Sequence, residues 1–553
     1  MAQITAGSAI FPRLGALGVD YVFVNSGTDF PPIIEGLARA MADGQRLPRA
    51  IACPHEHAAM GMAHGVWLMT GRPQAVMLHT NVGLANGAIG AINAACEHVP
   101  MILMSGRTPV AEGGRFGART VPIGWGQEMF DQAALVREAC KWDYELRFPE
   151  QIGPVLDRAH AIAQSTPKGP VYLSLPREVL CEELPAEAVA APPTLRPAGV
   201  APDPAALRTA ADWLASAQRP LVIAQRGCGS AAAFAAFGQW ASDWAMPVAS
   251  WWATHLAIAT DHPCHVGADP GPYLADADVV LVVNALAPWW PDKHPLAPGA
   301  KVIQLGPDPL FARFPMRSFP ADLAIAGETA AALPALIGAM ADRPPGSTAE
   351  ARRARLAARP VPAAPSPGRL TKAQVAAALG HALDDETTVF SELGVPLSAL
   401  PRRTHRSWFQ EPHSGGLGWA FPAAMGAKLA APDRVVVATM GDGSYIFANP
   451  TACHQIAEAL GLALLVVVVN NAEWGAVRAS VAQLYPEGMA AKTNAMPLTG
   501  LAPSPDFCQT AQASRAWARR VERAEELDAA IADGLAAVAD GRLALLDVQV
   551  EPD

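Results

Sequence analysis

The chain has 553 residues, just over half of them hydrophobic, and a formal net charge of −10. That length suits about three or four domains, and the apolar content excludes a largely disordered chain. The mild acidity, without a lysine/arginine block, argues against a nucleic-acid partner. The eight scattered cysteines form no CxxC pair and read as buried thiols of a cytoplasmic protein. The opening MAQITAGSAIFPRLGALGVDY has no signal-peptide layout. No apolar run reaches the length of a membrane span, so no membrane partner is expected.

Two alanine- and proline-rich stretches, Pro185–Pro204 and Arg343–Arg369, read as linkers, the second with a short helix inside. They divide the chain into 1–184, 200–342 and 370–553, three α/β segments that each read as a doubly wound parallel sheet. No short-period repeat appears.

The first segment opens with strand Tyr21–Val24 and the turn Asn25-Ser26-Gly27-Thr28-Asp29. Strand Ala50–Cys53 leads to Glu56 at the start of an Ala/Gly-rich helix. A carboxylate there is either a site residue at a strand end or a helix-N-terminal Glu favoured by the dipole. Strand Ala75–Leu78 then runs into His79 and a turn through Gly83, followed by a helix over Leu84–Cys96. His79 is a candidate proton carrier, because its pKa lies near neutrality. The alternative is a structural histidine bonded to the turn. Gln127-Glu128 and Lys141-Trp142 follow, and strand Val171–Leu175 closes the segment.

The middle segment reads as strand Leu221–Ala224, a turn at Gly227-Cys228-Gly229, helix Ala231–Trp244, and strands Val279–Asn284 and Lys301–Leu305. Gly227 and Gly229 lack the third glycine of a dinucleotide fingerprint, so FAD is only weakly supported. His262-Pro263-Cys264-His265 has the spacing of no usual zinc site. Trp251, Trp252, Trp289 and Trp290 line a pocket or fill the core.

The third segment begins with helix Lys372–Leu383 and strand Thr388–Phe390. The glycine loop Gly415-Gly416-Leu417-Gly418 comes next. A strand–turn–helix–strand unit follows, made of Val435–Met440, Gly441-Asp442-Gly443-Ser444, a helix capped by Asn449-Pro450, and Leu464–Val469. It places Gly441-Asp442-Gly443 and Asn470-Asn471 at neighbouring strand ends, where parallel sheets bind ligands. Asp442, Asn471 and the backbone near Glu473 offer hard oxygen ligands suited to Mg²⁺. Gly441 and Gly443 admit a diphosphate, and Ser444 adds a hydroxyl. The plain alternative is an ordinary turn. The Gly/Pro-broken run Leu484–Phe507 reads as a lid or site entrance.

A GDG followed after about 25 to 30 residues by NN resembles the signature of the thiamine diphosphate enzymes. The likeness extends over nearly the whole chain. LHTNVGLANGAIGAIN and NSGTD resemble benzoylformate decarboxylase, with Thr28 where that family has a serine and His262 matching a second histidine. Gln127-Glu128 and Lys141-Trp142 resemble acetolactate synthase. The resemblance implies pyrimidine-binding, central and diphosphate-binding domains, with FAD, ADP or nothing in the central one. It implies thiamine diphosphate and Mg²⁺ as cofactors, and Glu56 on the aminopyrimidine, where it helps generate the ylid. Leu417 would lie under the cofactor, with Gly394, Gly416, Gly441, Asp442, Gly443, Ser444 and Asn471 around it and Asp442, Asn471 and Glu473 at the metal. Thr28, His79, Gln127 and His262 would face the substrate, a 2-oxo acid or acyloin. It implies decarboxylation through an enamine, or acetolactate synthase-like carboligation. It also implies a homo-oligomer, dimer or tetramer, whose active site is shared between subunits. A non-catalytic regulatory protein of the same fold would be expected to lack Glu56. A dinucleotide oxidoreductase is disfavoured by the missing glycine.

Overall fold

A computed structural model describes residues 3–358 and 370–551. Their backbone forms three parallel sheets, each from its own stretch of sequence. In the N-terminal unit the strands Tyr21–Val24, Arg49–Ala52, Gln74–Leu78, Met101–Arg107, Asp143–Glu145 and Val171–Pro176 lie in the order second, first, third, fourth, sixth, fifth. The C-terminal unit repeats that order with Thr388–Glu392, Trp408–Gln410, Val436–Gly441, Leu465–Asn470, Trp517–Val521 and Ala544–Gln549. The central sheet runs second, first, third, fourth, fifth through Pro220–Ala224, Val248–Ala249, Val279–Val283, Lys301–Gly306 and Leu323–Ala326. Pairing within each sheet is parallel throughout. The inner strands are β-branched runs buried on both faces, such as Val279–Val283, as helices on either side require.

An order that reverses beside the first strand opens a crevice between the carboxyl ends of the first and third strands. In the N-terminal unit those ends carry Asn25–Asp29 and His79; in the C-terminal unit they carry Leu393-Gly394 and Asp442-Gly443.

Several local details differ from the sequence reading. The helix expected from Leu84 starts at Thr80, because His79 is extended (φ −78°, ψ 110°) and forms its N-cap. The GDGS turn winds into a short helix, Asp442–Phe447. Asn449 precedes helix Pro450–Leu460 in a left-handed conformation (φ 52°), and its side chain caps nothing. The first expected linker begins inside folded structure: Glu183–Pro185 pairs antiparallel with Gln3–Thr5, and Glu187–Ala190 is a helical turn. Arg13 ties that turn down by donating to the Val189 carbonyl (3.2 Å) while pairing with Asp157. In the second, Gly346–Ala357 is helical, and residues 359–369 lie outside the described residues.

The outer units meet through helices Glu56–Thr70 and Ala420–Ala430, which belong to one continuous apolar core. Their approach depends on two reciprocal glycines. A Cβ at Gly65 would lie 1.9 Å from the Ala423 carbonyl oxygen, and one at Gly426 would lie 2.0 Å from that of Met62. Any side chain there pushes the helices apart. That separation would move the start of the Glu56 helix away from the glycine loop that precedes Ala420. Gly65→Ala is expected to cost about 3 kcal/mol in urea unfolding. Gly238→Ala, on a helix position with nothing within 4 Å of a Cβ, should instead gain a few tenths. Equal effects at the two positions would contradict this packing.

Candidate active site

The C-terminal crevice is a hollow of about 280 Å³ lined by Leu417, Gly441, Asp442, Gly443, Ser444, Asn471, Glu473 and Trp474. Asp442 is 2% exposed, and its Oδ2 has no hydrogen-bond partner. Burial pushes its carboxyl up to about 6, against the pull of surrounding backbone amides. A buried carboxylate left short of partners is costly unless a cation meets it. Asn471 Oδ1 accepts from the Glu473 amide (3.2 Å), which orients the side chain at the end of its strand. The neighbouring Asn470 is structural: its Nδ2 donates to Asp547 (3.0 Å) and its Oδ1 accepts from the Ala472 amide (3.1 Å). Asp442 and Asn471 are therefore the oxygen donors that fit Mg²⁺ and a diphosphate. The Glu473 side chain pairs with Arg478 (2.6 Å), and its carbonyl accepts from the Gly475 amide (2.9 Å). Those engagements leave it less suited to a metal than the other two.

The glycine loop is held from both sides. Glu392, fully buried at the end of its strand, accepts from the Gly418 and Ala420 amides. Asn93 Nδ2 of the N-terminal unit donates to the Gly416 carbonyl (2.9 Å). Leu417 is thus presented to the hollow by a fixed loop. Gly394 lies in an adjoining hollow of about 560 Å³ with Trp251, Trp252 and Glu411.

The N-terminal crevice gathers a second set. His79 Nδ1 bonds Asp29, and its Nε2 meets the Gln127 amide nitrogen at 3.2 Å. Thr28 lies on the same small hollow, with its carbonyl accepting from Arg177 (3.1 Å). The Asp29 hydrogen bond raises the His79 pKa, outweighing the lowering by burial, and the Asp29 and Glu56 charges add to it. Room for the imidazole comes from Gly27, where a Cβ would fall 2.0 Å from His79 Nδ1. Glu56 starts its helix and accepts from Asn86 Nδ2. Glu128 is occupied by Arg107 (2.9 Å) and Arg119. Lys141 donates to the Ile162 and Ser165 carbonyls (2.6 and 2.7 Å), and burial brings its pKa down to about 8. Trp142 stacks on Tyr144.

Of the residues singled out in the sequence, Thr28, His79 and Gln127 line one small hollow, and Glu56 lies off it but near enough for its charge to act on His79. Leu417, Gly441, Asp442, Gly443, Ser444, Asn471 and Glu473 gather at the other. His262 joins neither: it bonds Ser242 (3.0 Å) and accepts from the Cys264 amide (3.1 Å) in the central unit. Among the described residues no cluster could hold a metal through three His, Cys, Asp or Glu side chains. The carboxyl edge of the central sheet suits a dinucleotide pyrophosphate poorly, because Glu328 stands at the N-cap of helix Thr329–Met340 and Arg226 is spent on Glu97 (2.9 Å). Sequence reasoning gave no role to Asp29, Asn86, Glu392 or Glu411. Asp29 had a signal in its position, the first buried acid after a strand end. Asn86 and Glu411 had none, since only the fold brings them to their partners.

Residues 4–135, 207–336 and 395–548 match three families described as the N-terminal TPP binding, central and C-terminal TPP binding domains of thiamine pyrophosphate enzymes. The chain is 30% identical over 542 residues to the Pseudomonas aeruginosa protein described as "Probable 2-ketoarginine decarboxylase AruI", covering 95% of this chain and 90% of that one. It is 28% identical to benzoylformate decarboxylase of the same species (96% and 97% covered) and 27% identical to the acetolactate synthase large subunit of Parasynechococcus marenigrum (89% and 81%). A solved Rhodococcus jostii 4-hydroxybenzoylformate decarboxylase superposes with a TM-score of 0.81 over 99% of both chains, at 24% identity, which shows a common fold. No helix among the described residues is long and apolar enough to cross a membrane.

The His79–Asp29 contact has a measurable consequence. Asp29→Asn removes the acceptor's charge, so the His79 pKa should fall below its wild-type value in an NMR pH titration. A histidine raised in the folded state adds stability that is fully present below its unfolded pKa of about 6.5 and is lost as pH rises through the folded value. The stability gap between wild type and Asp29→Asn should therefore be widest in acid and narrow above neutrality. A gap that grows with pH would contradict the assignment.

Proposed function

The chain belongs to the thiamine pyrophosphate enzymes, in the group of 2-oxo acid decarboxylases and acetolactate synthases, and on that premise we propose that it decarboxylates a 2-oxo acid with His79 as proton carrier. Thiamine diphosphate, when bound, would supply a nucleophilic carbon for the substrate carbonyl and a cationic ring to take up the electron pair of the broken C–C bond. The remaining work falls to the chain's own residues. Asp442 and Asn471 would hold Mg²⁺ and with it the diphosphate, and Leu417, on the same hollow, would contact the cofactor. Glu56, kept in place by Asn86, bonds the pyrimidine ring and moves the proton that activates the cofactor.

The single observation that carries the decarboxylase reading is the His79 triad. In the neutral ring, Nδ1 donates to Asp29 and Nε2 accepts from Gln127. In the protonated ring both nitrogens donate, and a flip of the Gln127 amide offers its carbonyl instead. The histidine is thus supported in both states that a proton transfer visits, and Asp29 favours the charged one near neutrality. Gln127 and Glu128, the residues shared with acetolactate synthases, are committed here to His79 and to two arginines. That favours protonation of the product carbon over capture by a second carbonyl.

The two crevices share no lining residue within one chain, and exposed apolar side chains border each. Val121 and Ile123 line the hollow with Gln127, and Trp125 and Phe130 flank it in sequence; Val477 lines the Asp442 hollow and Phe447 packs against its Trp474, while Leu484 and Tyr485 end the same helix as Val477. A second copy of the chain would cover both rims and complete the site, which supports a homo-oligomer with shared active sites. On this reading the exposed run around Leu484 and Tyr485 forms the entrance, and substrate preference lies with Thr28, Gln127 and that run.

Two measurements test this reading. Glu56→Gln should still bind thiamine diphosphate but lose turnover by about 100-fold or more; undiminished activity would remove its role. Incubation with a panel of aliphatic and aromatic 2-oxo acids, followed by NMR, should yield aldehydes. Acyloins alone would replace the decarboxylase reading with carboligation.

A further inference from the structure

Lys372 stands in the first turn of helix Lys372–Ala382, behind a capping box formed by Thr371 and Gln374. It lies on the wall common to the Asp442 hollow and the larger one beside it. Each hollow contains a buried acid with one oxygen lacking a partner: Asp442 Oδ2 in the first, Glu411 Oε2 in the second. Among the described residues lining the two hollows, the charged side chains are Lys372, Asp442, Glu473 and Glu411, so Lys372 is the one cation.

A diphosphate is more negative than one divalent ion can neutralise, and every other charged group on these walls is acidic. We propose that Lys372 is a cofactor-binding residue whose ammonium holds the terminal phosphate of thiamine diphosphate, opposite the Asp442–Asn471 metal corner. This rests on the thiamine diphosphate reading of that corner. A lysine suits the task because it acts as a compact point charge on a flexible stem, able to follow a phosphate without fixed geometry. The helix start adds its positive end from the same side, and Glu411, whose Oε2 lacks a partner, lines the larger hollow. Leu393, at the end of the first strand, is shared by both hollows and marks the seam where the phosphate would lie.

The test uses the full-length protein freed of cofactor by dialysis, at fixed Mg²⁺, with binding read from tryptophan fluorescence, since Trp474 lines the hollow. Lys372→Met should weaken thiamine diphosphate binding about tenfold or more and leave thiamine monophosphate unchanged. Lys372→Arg should recover most of the loss, and the methionine variant should show a shallower salt dependence. An unchanged affinity, or an equal loss for both ligands, would overturn the role of Lys372. Failure of the wild type to bind thiamine diphosphate would instead overturn the cofactor reading and this inference with it.

Discussion

The arrangement depends on one buried charge that the protein alone leaves unsatisfied. Asp442 sits at the carboxyl end of an inner parallel strand with Oδ2 unpartnered and its carboxyl pushed up to about 6. Burying a carboxylate in this way costs more than a domain can spare without return. The neighbouring strand ends in Asn471, whose side-chain oxygen is aligned by a single amide. A divalent cation held by these two oxygens would offset that cost, and the glycines on either side of Asp442 would leave room for an anion beside it. The loop holding Leu417 is fixed by Glu392 and Asn93, so its position does not wait for the cofactor.

The N-terminal unit uses the same topology for different chemistry. Both outer sheets share one strand order and place their chemical groups at the same crevice between first and third strands. In the C-terminal unit that crevice carries the Asp442 carboxyl, with Asn471 at the end of the neighbouring strand. In the N-terminal unit it presents an acid–imidazole pair to a proton. The helices Glu56–Thr70 and Ala420–Ala430, meeting through Gly65 and Gly426, hold the two units in one fixed relation. The relation between the two units therefore rests on backbone contact at helix positions, Gly65 and Gly426, that themselves do no chemistry.

Much of this was legible in the sequence. Asp442 and Asn471 were readable because short motifs at strand ends impose a local geometry on any parallel sheet. Glu56 and His79 drew attention for a similar reason, His79 standing directly after a strand and Glu56 at the start of the helix that follows one. The three sheets followed from β-branched runs separated by helical patterns. What escaped depended on long-range approach. Asn86 meets Glu56 across 30 residues, and Lys372 meets the Asp442 hollow from a helix whose pattern signals only its own cap. His262 shows the opposite error. The resemblance put it at the substrate, but the fold directs His262 to Ser242 (3.0 Å) and His265 to the Thr260 carbonyl (2.9 Å). The first linker misled where it began, because Arg13 pins residues whose composition alone reads as a linker, whereas the helix expected inside the second is present.

The most direct test of the central claim is calorimetric titration of the wild-type protein with thiamine diphosphate, once with Mg²⁺ and once with the metal chelated. If Asp442 and Asn471 form a metal–diphosphate anchor, binding should appear with Mg²⁺ and vanish without it. Binding of equal strength under both conditions, or none under either, would contradict it.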